Sequence, residues 1–108
     1  MPAAYIEQVQ DVARLIPSGR VTTYGAIADF LTLGSARMVG WALHNSLAAD
    51  DVPAHRVVNR KGELTGRNRF ATPHLMQERL EAEGVAVVDD RVRDFATRFW
   101  SPTEILLS

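Results

Sequence analysis

The sequence predicts an α+β domain that is small and mainly helical, with a helix-turn-helix and short strands in a winged-helix-like arrangement. Three observations support this. The 108 residues are enough for one hydrophobic core and too few for two, so residues 1–108 are expected to form a single domain. Four segments carry apolar residues at helical spacing. Short valine-rich runs bounded by turn residues lie between and after them, as expected of short strands.

The first two helices are predicted in the N-terminal third of the chain. Apolar residues recur at helical spacing from Ala4 to Ile16, and Pro17-Ser18-Gly19 ends that segment. Val21-Thr22 is a short extended piece, and Thr23 can cap a second helix. The apolar face of the second helix is formed by Ile27, Phe30 and Leu31.

The third helix completes a helix-turn-helix pattern. Leu33-Gly34-Ser35 is a tight break, after which a helix is predicted over residues 36–45. Two helices joined by a short turn containing glycine are typical of a unit that offers its second helix to a nucleic-acid groove. A plain helical hairpin is the alternative. Outward on that helix, Arg37 lies between the small residues Ala36 and Gly40, which would let a nucleic-acid backbone come close. The inward residues are Val39, Ala42 and Leu43.

The second half of the chain opens with VPAHRVVNRKGELTG at residues 52–66, which has the pattern of a reactive-site loop. It predicts a strand at Val57-Val58, a basic turn at 59–62 and a second short strand after the turn. Thr72-Pro73 is expected to start a fourth helix that runs to Gly84, with Met76 and Leu80 inward. The remaining predictions are a hairpin of Val85–Val88 and Arg91-Val92 around Asp89-Asp90, and a final helical turn carrying Phe95, Phe99 and Trp100.

Composition excludes several classes of function. The net charge is −1 and the apolar fraction is 46%, as in an ordinary globular protein. The absence of cysteine rules out disulfides, cysteine-bound metals and thiol nucleophiles. The three histidines lack metal-ligand spacing, so neither metal nor cofactor is expected. The amphipathic, charged N-terminus has the pattern of neither a signal peptide nor a membrane span, which predicts a cytoplasmic protein.

Basic residues are concentrated in one stretch of the chain. Residues 56–69 contain a single acid, Glu63, and arginines are much more frequent than lysines in the whole chain. Arginine suits phosphate recognition and stacking on aromatic rings. The basic residues of this stretch are Arg56, Arg60, Lys61, Arg67 and Arg69.

Four blocks of sequence, IPSGRVTTYGAIA, ARMVG, PAHRVVNRKG and LEAEG, occur in this order over roughly residues 9–84. In order and spacing they resemble the DNA-binding domain of the O6-alkylguanine-DNA alkyltransferases. In that family, the cysteine of a PCHRV motif accepts the alkyl group of a damaged guanine, helped by the next histidine and by a glutamate in the EG block. The matching positions are Ala54, His55 and Glu83.

The acceptor is therefore missing, and we expect no catalytic residue. Alkyl transfer needs a thiolate or a comparable nucleophile, which the methyl group of Ala54 cannot replace. The chain instead resembles the non-enzymatic alkyltransferase-like branch. Three features resemble this branch. The enzymes carry a tyrosine and paired glycines where TGRNRF stands here. Arg67 falls where the branch places an arginine over its lesion pocket, and the segment FWSP resembles the ending of that branch. The branch usually has tryptophan at position 54, so alanine predicts a roomier pocket.

The resemblance implies how the parts would act on DNA. The third helix would lie in the minor groove, Arg37 would enter the duplex where the base has left, and Tyr24 would push the adjacent phosphate. Arg67 would stack on the flipped base; its alternative role is to neutralise phosphate. The alternative for Arg37 is a solvated surface arginine, and the alternative for Tyr24 is a tyrosine of the core. Expected DNA contacts are Tyr24, Ala36, Arg37, Gly40, Arg60, Lys61 and Arg69, and the expected lesion pocket is Tyr24, Ala54, His55, Val57 and Arg67.

The predicted function is to bind double-stranded DNA containing O6-alkylguanine, flip the base and leave the alkyl group in place. The resemblance implies nucleotide excision repair proteins as partners, with the aromatic tail around Trp100 as one candidate surface for them. We expect a monomer, since no dimerisation seam is visible. Two alternatives remain at this point: a Cys-to-Ala variant of an active alkyltransferase, and a helix-turn-helix transcriptional regulator.

Overall fold

The computed structural model describes residues 3–45 and 51–107, apart from the side chains at positions 3 and 107. It confirms a mainly helical α+β fold with short strands. Its elements are α1 (Ala3–Arg14), β1 (Thr22–Thr23), α2 (Tyr24–Phe30), α3 (Ala36–His44), β2 (Val57–Val58), α4 (Leu75–Ala82), β3 (Val87–Val88), β4 (Arg91–Val92) and α5 (Phe95–Arg98), with short 3-10 helices at Ala54–Arg56, Arg67–Arg69 and Pro102–Leu107. None of the helices over these ranges is long and apolar enough to cross a membrane.

The first three helices form one packed unit. Helix α3 packs against both α1 and α2, and the predicted inward residues of all three helices lie in one hydrophobic cluster. The predicted cap of α2 is confirmed, because Oγ1 of Thr23 accepts the N–H of Ala26 at 3.0 Å. Ser35 precedes α3 as predicted, but its side chain makes no capping hydrogen bond. Helices α2 and α3, with residues 31–35 between them, form the predicted helix-turn-helix.

A two-stranded parallel sheet ties the helix-turn-helix to the reactive-site-like loop. Thr22 pairs with Val57 and Thr23 with Val58. Because Tyr24 directly follows β1 and the 3-10 helix that begins at Ala54 directly precedes β2, this pairing holds the start of α2 beside that helix. The position of the candidate site is thus set by the register of two short strands.

The C-terminal aromatic segment is anchored to the same sheet. The N–H of Trp100 donates to the carbonyl of Val21 at 2.7 Å, and the N–H of Val21 donates to the carbonyl of Arg98 at 3.0 Å. The Trp100 side chain is only 4% exposed and belongs to the first hydrophobic cluster. The suggestion that an exposed tail around Trp100 binds a partner is therefore wrong, because this indole is part of the core.

A second hydrophobic cluster lies under α4 and the β3–β4 hairpin. Met76 and Leu80 of α4 are fully buried in it, as predicted. The predicted hairpin turn at Asp89-Asp90 is confirmed, and both aspartates have positive φ, 53° and 58°. Aspartate tolerates this left-handed region better than most residues. Phe70 packs against both clusters and so connects the two halves of the molecule.

Several predicted elements differ from the structure in their bounds, and one predicted strand is nearly absent. Helix α1 ends at Arg14 rather than Ile16, and α4 begins at Leu75 rather than Pro73. The later start of α4 follows from a local turn, in which Oγ1 of Thr72 accepts the N–H of His74. The strand expected after the 59–62 turn is reduced to one bridge between Glu63 and Arg91. Strand β2 pairs with β1 instead of with that segment.

Candidate nucleic-acid interface and base pocket

The outward side of α3 forms a cationic surface. Ala36 and Arg37 are exposed, and within the described residues the Arg37 side chain has no hydrogen bond or ion pair. A depression of about 300 Å³ beside them is lined by Tyr24, Ala36, Arg37, Gly40, Thr65 and Arg69. Five of the seven predicted DNA contacts therefore share one surface.

The other two predicted contacts, Arg60 and Lys61, lie on an adjoining depression of about 420 Å³. Tyr24 and Ala36 line both depressions, so the seven residues occupy one face of the protein. The basic turn is held in place by Asn59, whose Oδ1 accepts the N–H of Lys61 at 3.0 Å and that of Glu63 at 2.8 Å. Arg60 and Lys61 are themselves exposed.

A narrow cleft lies beside Ala54, behind this face. Its free volume is about 10 Å³, enough for about one water molecule and far too small for a nucleobase. Ala54 is 9% exposed. The cleft is lined by Tyr24, Leu43, Ala54, Gly66, Arg69, Phe70 and Met76. The roomier pocket expected from an alanine at position 54 is therefore absent in this state of the protein.

The cleft is closed by residues 66–70, which we call the closing segment. Nη1 of Arg69 donates to the carbonyl of Gly40 on α3 at 3.2 Å. A Cβ added at Gly40 would lie 3.1 Å from Nη2 of Arg69, and one at Gly66 would lie 2.8 Å from the hydroxyl oxygen of Tyr24. A side chain at Gly66 would therefore displace the Tyr24 hydroxyl, and one at Gly40 would shift the Arg69 guanidinium by a few tenths of an ångström.

Arg69 occupies the place that the sequence assigned to Arg67. Nη1 of Arg67 donates to the carbonyl of Leu64 at 3.0 Å, and its Nε lies 3.9 Å from Oδ2 of Asp90 in the β3–β4 turn. Arg67 does not line the Ala54 cleft, whereas Arg69 does. The two arginines are two residues apart on a 3-10 helix, which has three residues per turn, so they leave it in different directions.

His55 and Glu83 meet in a hydrogen-bonded cluster below the cleft. Nε2 of His55 lies 2.7 Å from Oε2 of Glu83. Arg56 holds the same carboxylate with Nε at 3.0 Å from Oε1 and Nη2 at 2.7 Å from Oε2, and its Nη1 donates to the carbonyl of Ile16. The backbone N–H of Gly19 also donates to Glu83. The cluster therefore connects the segment between α1 and β1, the C-terminal end of α4 and the 3-10 helix that begins at Ala54.

The same cluster sets the charges of its members. Burial alone would raise the pKa of Glu83, but hydrogen bonds from Arg56, His55 and Gly19 outweigh it and lower the pKa to about 2. Burial lowers the pKa of His55, and the hydrogen bond to Glu83 only partly offsets this. Glu83 is thus a carboxylate at neutral pH, and the charged form of His55 is disfavoured.

Besides Arg67, two more residues predicted for the lesion pocket lie outside the cleft lining. Val57 is fully buried in β2, and the ring of His55 is directed to Glu83. Nδ1 of His55 is buried and has no hydrogen-bond partner among the described residues. No group of three or more His, Asp or Glu residues in the described ranges could hold a metal ion. Of the predicted pocket, the structure brings together Tyr24 and Ala54 and adds Arg69.

Sequence reasoning missed four residues of the cleft: Leu43, Gly66, Phe70 and Met76. Leu43 and Met76 were assigned only to the core, and nothing in their helical spacing distinguishes a cleft wall from a core position. Gly66 carried a usable signal. It ends the segment predicted as the second short strand, and an isolated glycine in a strand pattern indicates a bulge or a place where the backbone comes close to another element.

Both a family model and a relative of similar length match this sequence. Residues 4–85 match the family model described as the DNA-binding domain of 6-O-methylguanine DNA methyltransferase. The chain is 33% identical over 103 residues to alkyltransferase-like protein 1 of Schizosaccharomyces pombe, covering 91% of this chain and 95% of the relative. The chain belongs to the alkyltransferase-like proteins.

Other comparisons agree with this membership. A DNA base-flipping protein of Escherichia coli is 36% identical over 101 residues, covering 91% of this alkyltransferase-like chain and 75% of the relative. The crystal structure of S. pombe Atl1 in complex with damaged DNA containing O6-carboxymethylguanine matches with a TM-score of 0.81 at 30% identity. That match covers 93% of this chain and 97% of the other. The predicted fold and family are thereby confirmed.

The comparisons also bear on catalysis. This alkyltransferase-like chain contains no cysteine, so it cannot accept an alkyl group on a thiol as the methyltransferases do. The relatives that match most of its length are named as alkyltransferase-like or base-flipping proteins. The chain is therefore not an alkyltransferase.

Proposed function

We propose that this protein binds duplex DNA containing O6-alkylguanine, turns the damaged nucleotide out of the helix into the Ala54 cleft, and leaves the alkyl group in place. The main support for this proposal is that two side chains line both the cleft and the DNA-binding surface. Tyr24 and Arg69 line both the cleft and the cationic depression beside α3. A nucleotide leaving DNA held on α3 would meet these two side chains at the cleft.

Arg37 is the side chain that replaces the extruded base. It is exposed on the first turn of α3, between Ala36 and the backbone of Gly40. Because it has no partner among the described residues, its insertion into the base stack breaks no contact of the free protein. Minor-groove proteins commonly insert side chains between base steps and offset the unstacking with new contacts.

Entry of a base requires the closing segment to move. The free cleft of about 10 Å³ cannot hold a base, and its cover is fastened to α3 by the Arg69–Gly40 hydrogen bond. A hydrogen bond from a charged group contributes about 1.5–3 kcal/mol, which DNA contacts can offset. Once released, the Arg69 guanidinium is available to stack on the base or bind phosphate. Arg67 is available for base contact only if its bond to Leu64 is also broken.

The cleft is suited to recognise an alkylated base but not to accept its alkyl group. Ala54 offers a methyl group where a nucleophile would be needed, and the neighbouring His55 is bound to Glu83. Apolar side chains and the Tyr24 ring can distinguish an alkylated purine by shape and contact. A protein that recognises the lesion and leaves it intact must pass it on, and by the family resemblance we propose nucleotide excision repair proteins as the recipients.

Base flipping can be tested with duplexes that carry 2-aminopurine beside either guanine or O6-methylguanine. The fluorescence of 2-aminopurine increases when a stacked neighbour leaves the helix. We expect saturating protein to produce a larger increase next to O6-methylguanine than next to guanine, and Arg37→Ala to reduce that difference. The same small signal with both duplexes at full binding would contradict the proposal.

A further inference from the structure

Trp41 is a large apolar side chain left in solvent on α3. It is 57% exposed, whereas the other tryptophan, Trp100, is 4% exposed. Its ring lies 6.4 Å from that of His44, tilted by 35°. The indole borders a depression of about 260 Å³ whose other lining residues are Arg37, Gly40, His44 and Arg69.

The surroundings of Trp41 fit DNA better than protein or lipid. Two guanidinium groups border the depression, and none of the described residues that line it is acidic. Arg69 lines both this depression and the one assigned to DNA binding, so the two surfaces are continuous. An aromatic ring between cations is the arrangement by which proteins hold nucleic-acid strands, with the ring against sugar or base and the cations near phosphate.

Helix geometry sets the position of the Trp41 indole relative to Arg37. Trp41 follows Arg37 by four residues, which places it on the same face of α3 and about 6 Å further along the axis. The base pairs of duplex DNA are about 3.4 Å apart. A helix lying along the groove would therefore bring the indole about two base pairs from the nucleotide that Arg37 replaces.

We propose that Trp41 is a second DNA contact of α3, which packs against the sugars of the duplex about two base pairs from the flipped nucleotide. This inference rests on the proposed function for its DNA partner. It adds an apolar contact that lies outside the lesion, so it supports binding of damaged and undamaged duplex alike. An apolar contact displaces no counterions, so its loss weakens binding without changing the salt dependence.

Three substitutions test this inference on duplexes with guanine and with O6-methylguanine. Trp41→Ala is expected to weaken binding of both by about tenfold, with the slope of log affinity against log salt unchanged. Trp41→Phe should recover most of the loss. Val88→Ala is the control, since Val88 is an exposed hydrophobic residue, at 49%, on the β3–β4 hairpin and lines none of the depressions described above. It should bind like the wild type.

Tryptophan fluorescence supplies a second readout. DNA should change the emission of the wild type and leave that of Trp41→Phe nearly unaltered, because Trp100 is in the core. Unchanged affinity of Trp41→Ala for both duplexes would overturn the inference, and so would a dimer of the wild type that Trp41→Ala abolishes. Equal affinity of the wild type for both duplexes would overturn the proposed lesion recognition instead, and the undamaged duplex would still test Trp41.

Discussion

At position 54 this chain has a methyl group directly before His55, whose ring is bound to Glu83 as closely as 2.7 Å. The histidine and carboxylate that assist alkyl transfer in the related enzymes are thus kept, although no thiol remains for them to act on. In this protein they have a structural use. Together with Arg56 and Gly19 they join the segment between α1 and β1, the C-terminal end of α4 and the 3-10 helix that begins at Ala54.

Two arginine substitutions distinguish a side chain that replaces the flipped base from one that only contacts phosphate. Arg37→Ala should weaken binding to O6-methylguanine duplex by about ten- to a hundredfold, because the gap left by the flipped base stays unfilled. Arg60→Ala removes an equally exposed cation from the same face and should cost only a few-fold. Binding titrations measure both. Equal losses would mean that Arg37 is another phosphate contact.

The second prediction concerns Glu83 and pH. Its folded pKa of about 2 lies below the ordinary value of about 4.3, so the stability it contributes is present above pH 4.3 and is lost as pH falls towards 2. At pH 7, Glu83→Gln should lower the free energy of unfolding by about 2 kcal/mol, because Arg56 loses its counter-charge. Its stability should then fall less between pH 4.5 and 2 than that of the wild type.

Glu81→Gln is the control for this change, since Glu81 is an exposed residue of the same helix. Denaturant unfolding at several pH values measures all three proteins. His55 acts in the same direction: burial lowers its pKa, so the unfolded chain takes up the proton first as pH falls below about 6.5. A Glu83→Gln protein with the acid sensitivity of the wild type would show that the cluster does not set the stability at low pH.

Among the elements of the fold, the closing segment decides whether the cleft is accessible. It has only one short 3-10 helix, at Arg67–Arg69. Apart from Phe70, which packs against both hydrophobic clusters, it is held by a few contacts with Tyr24, α3 and the β3–β4 turn. Short segments with few buried contacts open at lower cost than packed helices. Of the parts of the molecule around Ala54, it is therefore the one that we expect to move.

A single thiol can report this movement. Ala54→Cys would introduce the only cysteine of the chain at the wall of the cleft. A thiol reagent should modify it slowly, and the additional change Arg69→Ala should speed the reaction by about tenfold, because the bond to Gly40 is lost. Arg60→Ala is the matched control, as it removes an exposed arginine that lies outside the closing segment and does not line the cleft. Equal rates in all three proteins would contradict closure by Arg69.

Elements that depend on local signals can be predicted from the sequence, whereas those that depend on contacts between distant parts of the chain cannot. Helices α1 to α3 follow from apolar spacing and the Thr23 cap, both of which are local signals. The pairing of β2 with β1 is not local, and the turn at residues 59–62 suggested a hairpin instead. The motif positions located Ala54 and Tyr24 at the cleft. Spacing along the chain could not show which of Arg67 and Arg69 faces it, because that depends on contacts with Gly40 and Asp90.

In the molecule as a whole, four basic residues are gathered on one face although the net charge is only −1. Glu63, which also borders this face, is paired with Arg91. Arg37, Arg60, Lys61 and Arg69 border the depressions around Tyr24, while Glu83 is neutralised inside by its own cluster. Such a face can hold the phosphate backbone of DNA. The cleft behind it contains no thiol, which agrees with the proposed recognition of a modified base without alkyl transfer.

The most direct test of this account is a titration of the protein against matched duplexes carrying guanine, O6-methylguanine or O6-carboxymethylguanine, followed by analysis of the alkyl group in the recovered DNA. The account predicts tighter binding of both alkylated duplexes and full recovery of their alkyl groups. Equal affinity for the three duplexes, or loss of the alkyl group during incubation, would contradict it.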